Sequence, residues 1–277
     1  MANPLLNDKS MQTAVAREEG QSGWAAPSQP AAGTWAPPIN DGPVSRWDGG
    51  VMTTSGAASA TLTLLLILIA SATVTWFSIA APAEDGTIAL PGGWIIGGAI
   101  VGLVSVLVAT FSPRRSKIAA PVYAIAEGVV IGAISRAFET AYNGIVLQAV
   151  GATLGVFVVV LLMYRSGVIT VNDRYKRVVM GAMGGLMLFY LVSMVMGLFG
   201  SMPSFINNGS ALGILFSLFV AGLAAANLAI DFNTIETAAR NKMPAYMEWY
   251  CALGVTVTLV WLYLEILRLL AKLQDRN

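Results

Sequence analysis

The chain has 277 residues, of which 56% are hydrophobic and 11% are charged, and its net charge is +1. Soluble domains carry roughly 25% charged residues, so this composition indicates an integral membrane protein and gives no sign of nucleic acid as a partner. A single cysteine excludes an intrachain disulfide, and the complete lack of histidine excludes functions that need an imidazole.

Residues 1–52 differ in composition from the rest of the chain. The stretch GQSGWAAPSQPAAGTWAPPINDGP is rich in Pro, Ala, Gly and Ser and lacks the apolar segment of a signal peptide. It predicts a disordered cytoplasmic tail. Its three tryptophans either touch the membrane surface or a partner, or are incidental aromatics in a flexible segment: Trp24, Trp35 and Trp47.

The remainder, residues 53–274, predicts seven transmembrane helices, followed by a short C-terminal end at 275–277. A spanning helix needs about 20 apolar residues. Charge-free stretches and turn signals place the spans near 57–80, 91–111, 118–137, 145–164, 178–199, 211–231 and 250–271. The long apolar stretch after residue 178 is divided at 200–210, where Pro203 and a Gly/Asn cluster favour a turn.

The distribution of basic residues predicts the orientation of the helices. Twelve of the sixteen lysines and arginines fall on one side, in the tail and in the second-to-third, fourth-to-fifth and sixth-to-seventh loops. The loops around 81–90 and 200–210 hold none. The N-terminus is therefore predicted to be cytoplasmic and the C-terminus to lie outside, with a re-entrant last segment as the alternative because of Arg268, Lys272 and Arg276.

Glycines spaced four residues apart predict close helix packing. Such pairs place both glycines on one face and let backbones approach, which favours a compact bundle. Six pairs occur: Gly93/Gly97, Gly98/Gly102, Gly128/Gly132, Gly151/Gly155, Gly181/Gly185 and Gly209/Gly213.

Three acids fall within or at the edge of the predicted spans, where acids are rare and often mark an ion or proton path. Asp231 shares a polar stripe with Asn227 and Thr234, although it could simply mark the cytoplasmic end of the sixth span. Glu265 shares a helix face with Thr258 and Arg268, and either serves function or forms a local ion pair with Arg268. These residues are the candidate site.

Glu127 is the most central of the three acids. The arginine nine residues later, Arg136, lies on the opposite side of that helix and is not a same-face partner. Glu127 either lines a path or bonds a neighbouring helix as a protonated acid.

Several functions of membrane proteins are excluded by missing residues. A retinal pigment needs a lysine deep in the last helix, but Lys272 lies at its end. Rhomboid proteolysis and zinc proteolysis need histidine. Asp231 is the only aspartate in a predicted span and no GxGD-type motif is present, which argues against an aspartyl intramembrane protease. No phosphate-binding glycine pattern stands in a suitable context. The chain is therefore not expected to be an enzyme or to hold a cofactor.

Four segments resemble the Bax inhibitor-1 family of membrane proteins, in the bacterial branch with a long N-terminal tail. They are FSPRRSK at 111–117, AEGVVIGAIS in the third span, AIDFNTIE at the end of the sixth span and LYLEILRLL in the last. The resemblance covers roughly residues 53 to 274. It implies an all-α bundle in which six helices surround a central last helix, in the bacterial plasma membrane.

The resemblance also implies a pH-sensitive calcium leak. In the family, two acids from the sixth and last spans form a shared pH sensor, and an arginine from the cytoplasmic end of the second span can engage one of them. The matching acids are Asp231 and Glu265, which would share a proton and bind calcium weakly, with waters completing its shell. The matching arginine is Arg114 or Arg115.

Two departures from the family pattern concern this pair. The last-span acid is glutamate where the family more often has aspartate, and the chain between the two acids looks longer. If both helices ran straight from the cytoplasmic face, Glu265 would lie roughly 20 Å deep, far from Asp231. Pairing therefore requires extra cytoplasmic helix or loop within residues 232–252.

Two other functions are compatible with this sequence. The protein could be a non-conducting interaction protein that modulates membrane proteases or stress responses through its tail and basic loops. It could also be a proton-coupled transporter that uses buried acids, but no sequence feature names a solute.

Overall fold

The computed structural model describes residues 50–80, 92–198 and 209–276, and within them it is an all-α membrane protein. Seven α-helices in these ranges are long and apolar enough to span a membrane, and no strand is formed there. They are α1 (Thr54–Ser78), α2 (Gly92–Phe111), α3 (Ser116–Ala141), α4 (Ile145–Arg165), α5 (Asp173–Leu198), α6 (Ala211–Arg240) and α7 (Met247–Gln274). Residues 1–49 of the predicted tail, and most of the predicted turn at 200–210, lie outside the described residues.

The predicted spans match the helices, but the end of the sixth span was placed too early. The helix α6 continues nine residues past Asp231, to Arg240. Its last turns remain helical because they contain few helix-breaking residues and carry an i,i+4 ion pair between Glu236 and Arg240. The chain then turns within six residues and begins α7 at Met247. Asp231 therefore does not mark a helix end.

The interior of the bundle is formed mainly by α3 and α7. The helix α7 packs against α1, α3, α4 and α6, whereas α2 packs chiefly on α3 and α5 on α6. The expected central position of the last helix is therefore seen, with four of the six other helices as its main neighbours. The outer helices expose large apolar side chains such as Ile100 and Leu188, as a lipid-facing surface requires.

Only some of the glycine pairs bring helices together. A Cβ on Gly128 or Gly132 would lie 2.6 Å from the carbonyl oxygen of Leu68 or 2.4 Å from that of Ala72, so both glycines are needed where α3 meets α1. Gly98 similarly approaches the backbone of Ala126. The pairs on α4 and α5, and Gly93/Gly97, have no atom within 4 Å of such a Cβ, so they take no part in helix packing in the described residues.

The residues that lead into α1 are fixed to the turn between α6 and α7. Met52 N donates to Met243 O at 2.7 Å, and Ala245 N donates to Gly50 O at 3.0 Å. Thr53 donates from both its backbone N and its hydroxyl to Glu248 Oε1, at 2.9 and 3.0 Å. The starts of α1 and α7 therefore lie at one end of the bundle.

The last helix crosses the bundle without interruption. It has 28 residues, which corresponds to about 42 Å at 1.5 Å per residue. This continuous helix is long enough to cross the membrane, whereas the side on which it ends stays a prediction. The helix α7 ends at the opposite end of the bundle from the start of α1.

Candidate functional site

Asp231 lies in a cavity of about 340 Å³ between α2, α6 and α7, whose mainly apolar lining carries a few polar side chains. The predicted stripe of Asn227, Asp231 and Thr234 faces this cavity, so the sequence identified its α6 wall correctly. The opposite walls include Thr110 on α2 and Thr258 on α7. Because α6 continues to Arg240, Asp231 is about 13 Å from the end of its helix, measured along the axis.

A chain of three hydrogen-bonding side chains links α6 and α7 at this cavity. The Thr258 hydroxyl donates to Asp231 Oδ2 at 2.6 Å, and Asn227 Nδ2 donates to Thr258 Oγ1 at 3.0 Å. The carbonyl oxygen of Gly254 also lies 3.1 Å from Thr258 Oγ1. Asp231 is thus held by a neutral hydroxyl and not by a second charge.

The Thr258 hydroxyl has one hydrogen and two acceptors within reach. When Asp231 is ionised, that hydrogen goes to Asp231 Oδ2. When Asp231 is protonated, its own O–H can donate to Thr258 Oγ1, and the Thr258 hydrogen then turns to Gly254 O. The contact between α6 and α7 is therefore kept in both protonation states, and the proton changes the charge of the cavity.

Glu265 lies deeper along α7 and is only 2% exposed. Its Oε2 accepts from Arg268 Nη1 at 2.7 Å, while its Oε1 has no hydrogen-bond partner. The Arg268 side chain is 40% exposed. The local ion pair that the sequence offered as one alternative is therefore formed.

Asp231 and Glu265 do not form the expected pair. Asp231 contacts Thr258, which is seven residues before Glu265 and so about 10 Å from it along α7. The physical reason is the short turn between α6 and α7. Because the two helices run antiparallel from this turn, a residue on α6 faces the α7 residue that is the same number of residues away from the turn. Thr258 occupies the position opposite Asp231.

The expected contact of Asp231 with a basic residue of the second loop is also not formed. Arg114 and Arg115 lie in a short 3₁₀ helix at Pro113–Arg115, between α2 and α3, and both are exposed. No ion pair joins either of them to Asp231. Their pairing with the acid is therefore absent from this conformation.

Glu127 lies apart from the Asp231 cavity, at the contact between α3 and α2. It is half-buried, and a Cβ on Gly102 would lie only 3.1 Å from Glu127 Oε2. Glycine at position 102 therefore leaves the space that the carboxylate occupies. Both alternatives for Glu127, that it lines a path or that it bonds a neighbouring helix as a protonated acid, stay predictions.

Lys272 is a polar contact that the sequence analysis did not identify. It is 3% exposed, and its Nζ donates to Gly213 O at 3.1 Å and to Ser217 Oγ at 2.8 Å. Ser217 and Lys272 lie at equal distances in sequence from the midpoint between residues 244 and 245, as Asp231 and Thr258 do. The sequence alone does not give this midpoint, because it depends on where α6 ends and α7 begins. One helix register explains both contacts.

No group of three or more Cys, Asp or Glu side chains that could hold a metal ion is found in residues 50–80, 92–198 and 209–276. Calcium takes six to eight oxygen ligands. At the Asp231 cavity the side-chain oxygens of the lining residues come from one carboxylate, three threonine hydroxyls, one tyrosine hydroxyl and one amide. With a single carboxylate, this set lacks the several charged ligands of a tight calcium site.

A seven-helix membrane protein with acids buried among its spans is the class that this fold and site define. Residues 3–275 match the family described as Bax inhibitor 1 like, and the chain belongs to that family. The match reaches further than the four motifs, since it includes most of the N-terminal tail. No curated protein and no solved structure matches the chain.

Proposed function

We propose that the protein is a pH-sensitive calcium leak in a bacterial plasma membrane, with its N-terminus in the cytoplasm, and that it catalyses no reaction. The observation that carries this proposal is Asp231, a carboxylate inside a spanning helix that lines a cavity and forms no ion pair with another described residue. Acids at such positions usually serve ion or proton movement.

The sign of the pH dependence follows from the charge of Asp231. The ionised carboxylate attracts a divalent cation into the cavity, and the protonated acid does not. Because the hydrogen bond with Thr258 can persist in both states, pH changes the charge that an ion meets without separating α6 from α7. Calcium flux is therefore expected to rise as pH rises through the titration of Asp231.

Glu265 and Arg268 would act at a second level of the same path. An ion that moves along α7 from the Asp231 cavity meets this pair about 10 Å further on. Arg268 compensates the charge of Glu265, and Lys272 adds a second positive charge one turn beyond. These two positive charges therefore hinder the passage of cations at this end of the path.

The proposal is tested by calcium flux into vesicles that contain the full chain and an enclosed calcium dye. We expect wild-type flux to rise with pH and the flux of Asp231→Asn to be low and independent of pH. Asp173→Asn is the matched control, since Asp173 is an exposed aspartate in the first turn of α5. Equal, pH-independent flux in all three proteins would exclude Asp231 as the sensor.

A further inference from the structure

A second cavity, of about 450 Å³, lies between α1 and α4 and shares no lining residue with the Asp231 cavity. Its floor is formed by α3 and α7, and it reaches from Leu65 to Phe77 along α1. Twelve residues of helix correspond to about 18 Å, more than half of the ~30 Å hydrocarbon thickness of a bilayer. This groove therefore has the length of one leaflet.

The wall of the groove is apolar, because most of its side chains are hydrocarbon and its hydroxyl groups already have hydrogen-bond partners. Ser135 Oγ and Tyr263 OH are 2.7 Å apart, and the Thr153 hydroxyl donates to Ala149 O. Several wall residues are open to the surroundings, including Phe77 at 80% and Leu154 at 56% exposure. An acyl chain entering from the membrane would meet only hydrocarbon surface.

Arg136 lies at one end of this groove, one residue beyond the wall residue Ser135. Its guanidinium carbon is 5.3 Å from the ring centroid of Trp76, which lines the groove. Its Nε is buried and has no hydrogen-bond partner. Arg136 is five residues before the end of α3, so its charge is near the level of lipid headgroups.

No ion pair with Arg136 is formed within the described ranges. The nearest acid on the same helix face is Glu139, but its two oxygens accept from Gly144 N and Val146 N. A guanidinium presents five donors in a planar arrangement that suits phosphate. Arg136 therefore has no carboxylate partner among the described residues and lies at the end of an apolar groove. An anionic molecule with a hydrocarbon chain would suit both features.

We propose that this groove binds an anionic phospholipid, with one acyl chain between α1 and α4 and the phosphate at Arg136. The groove volume lies within the range of about 300–1,000 Å³ that is usual for ligand pockets. Each buried CH₂ adds affinity for any phospholipid, whereas Arg136 selects the charge of the headgroup. This site is independent of ion conduction.

The test is lipid binding to the full chain in neutral detergent, measured by native mass spectrometry. Phosphatidylglycerol and phosphatidylcholine with identical acyl chains are compared. We expect the wild type to bind phosphatidylglycerol roughly ten-fold more tightly, which corresponds to about 1.4 kcal/mol. Arg136→Gln should abolish that preference, Arg136→Lys should keep part of it, and the control Arg165→Gln, at the exposed opposite end of the bundle, should keep it all.

The acyl chain is tested separately by filling the groove. Val150→Trp, on the α4 wall, should weaken binding of both lipids several-fold, whereas Leu147→Trp, which is 79% exposed and outside the groove, should not. If Arg136→Gln does not fold, Arg136→Lys and Val150→Trp decide the result. Unchanged headgroup preference in Arg136→Gln, unchanged binding in Val150→Trp, or equal thermal stabilisation by inorganic phosphate alone would each overturn the proposal.

Discussion

Thr258 on α7 is the residue that meets Asp231 on α6, at 2.6 Å, and Glu265 is not. Thr258 in turn accepts from Asn227 and lies within reach of Gly254 O. One acid with a hydroxyl partner replaces the pair of acids that the family resemblance implied. The consequence is that a single proton sets the charge of this cavity.

The first prediction concerns the energy of this contact. A double-mutant cycle of Asp231→Asn and Thr258→Val should give a coupling free energy of about 1 kcal/mol, since side-chain hydrogen bonds between membrane helices average about 0.6 and reach about 1.7 kcal/mol. Unfolding of the reconstituted protein by denaturing detergent measures it.

The control cycle pairs Asp231→Asn with Glu265→Gln. These two changes should be additive within about 0.3–0.5 kcal/mol, because the two acids share no hydrogen-bond partner and Glu265 lies about 10 Å along α7 from Thr258, which contacts Asp231. Strong coupling in the control cycle, with none between Asp231 and Thr258, would show that the two acids interact after all.

Asp231 contacts Thr258 and not Glu265, and this difference shows which features of the structure could be predicted from the sequence. The seven spans follow from the length and apolarity of their segments, and the stripe on α6 follows from helical periodicity. Which α7 residue faces Asp231 depends on where the turn begins. Residues 232–240 read equally well as loop or helix, and only the structure places the turn at Asn241–Tyr246.

Burial was harder to predict than membrane crossing. In lipid, an apolar helix can face outward, so hydrophobicity does not separate the interior of the bundle from its surface. Lys272 appeared to be an end-of-helix charge, yet it is buried because Ser217 and Gly213 O accept its hydrogens. The groove beside Arg136 is formed by four helices, and no local pattern indicates it.

The second prediction concerns the positive charge beside Glu265. Arg268→Gln should increase calcium flux several-fold at every pH, because it removes the cation that compensates Glu265. Arg276→Gln is the control, since Arg276 is exposed near the same end of the chain. A flux assay in vesicles measures both, and a decrease in Arg268→Gln would mean that Arg268 supports the open path.

The third prediction tests helix packing. Gly132→Ala should destabilise the bundle by about 1–3 kcal/mol, because the new Cβ would lie 2.4 Å from the backbone oxygen of Ala72 and α1 would have to move. Gly155→Ala has open space around it and should be neutral or slightly stabilising, since alanine favours a helix. Detergent unfolding of the two variants should separate them, and equal stability would contradict the close contact.

The fourth prediction separates the leak from the interaction function. The pairing of Gly50 and Met52 with the α6–α7 turn means that the tail can be removed up to residue 49 without loss of a described contact. We expect deletion of residues 1–49 to leave calcium flux and stability unchanged. Deletion through Thr53 should lower stability by at least about 1 kcal/mol, since Thr53 Oγ1 accepts from Gly56 N as the N-cap of α1 and both Thr53 donors bond Glu248.

If removal of residues 1–49 abolishes a cellular phenotype while flux in vesicles persists, the tail serves a partner and conduction is not the function selected in the cell. If it abolishes flux in vesicles, the tail belongs to the conduction path itself.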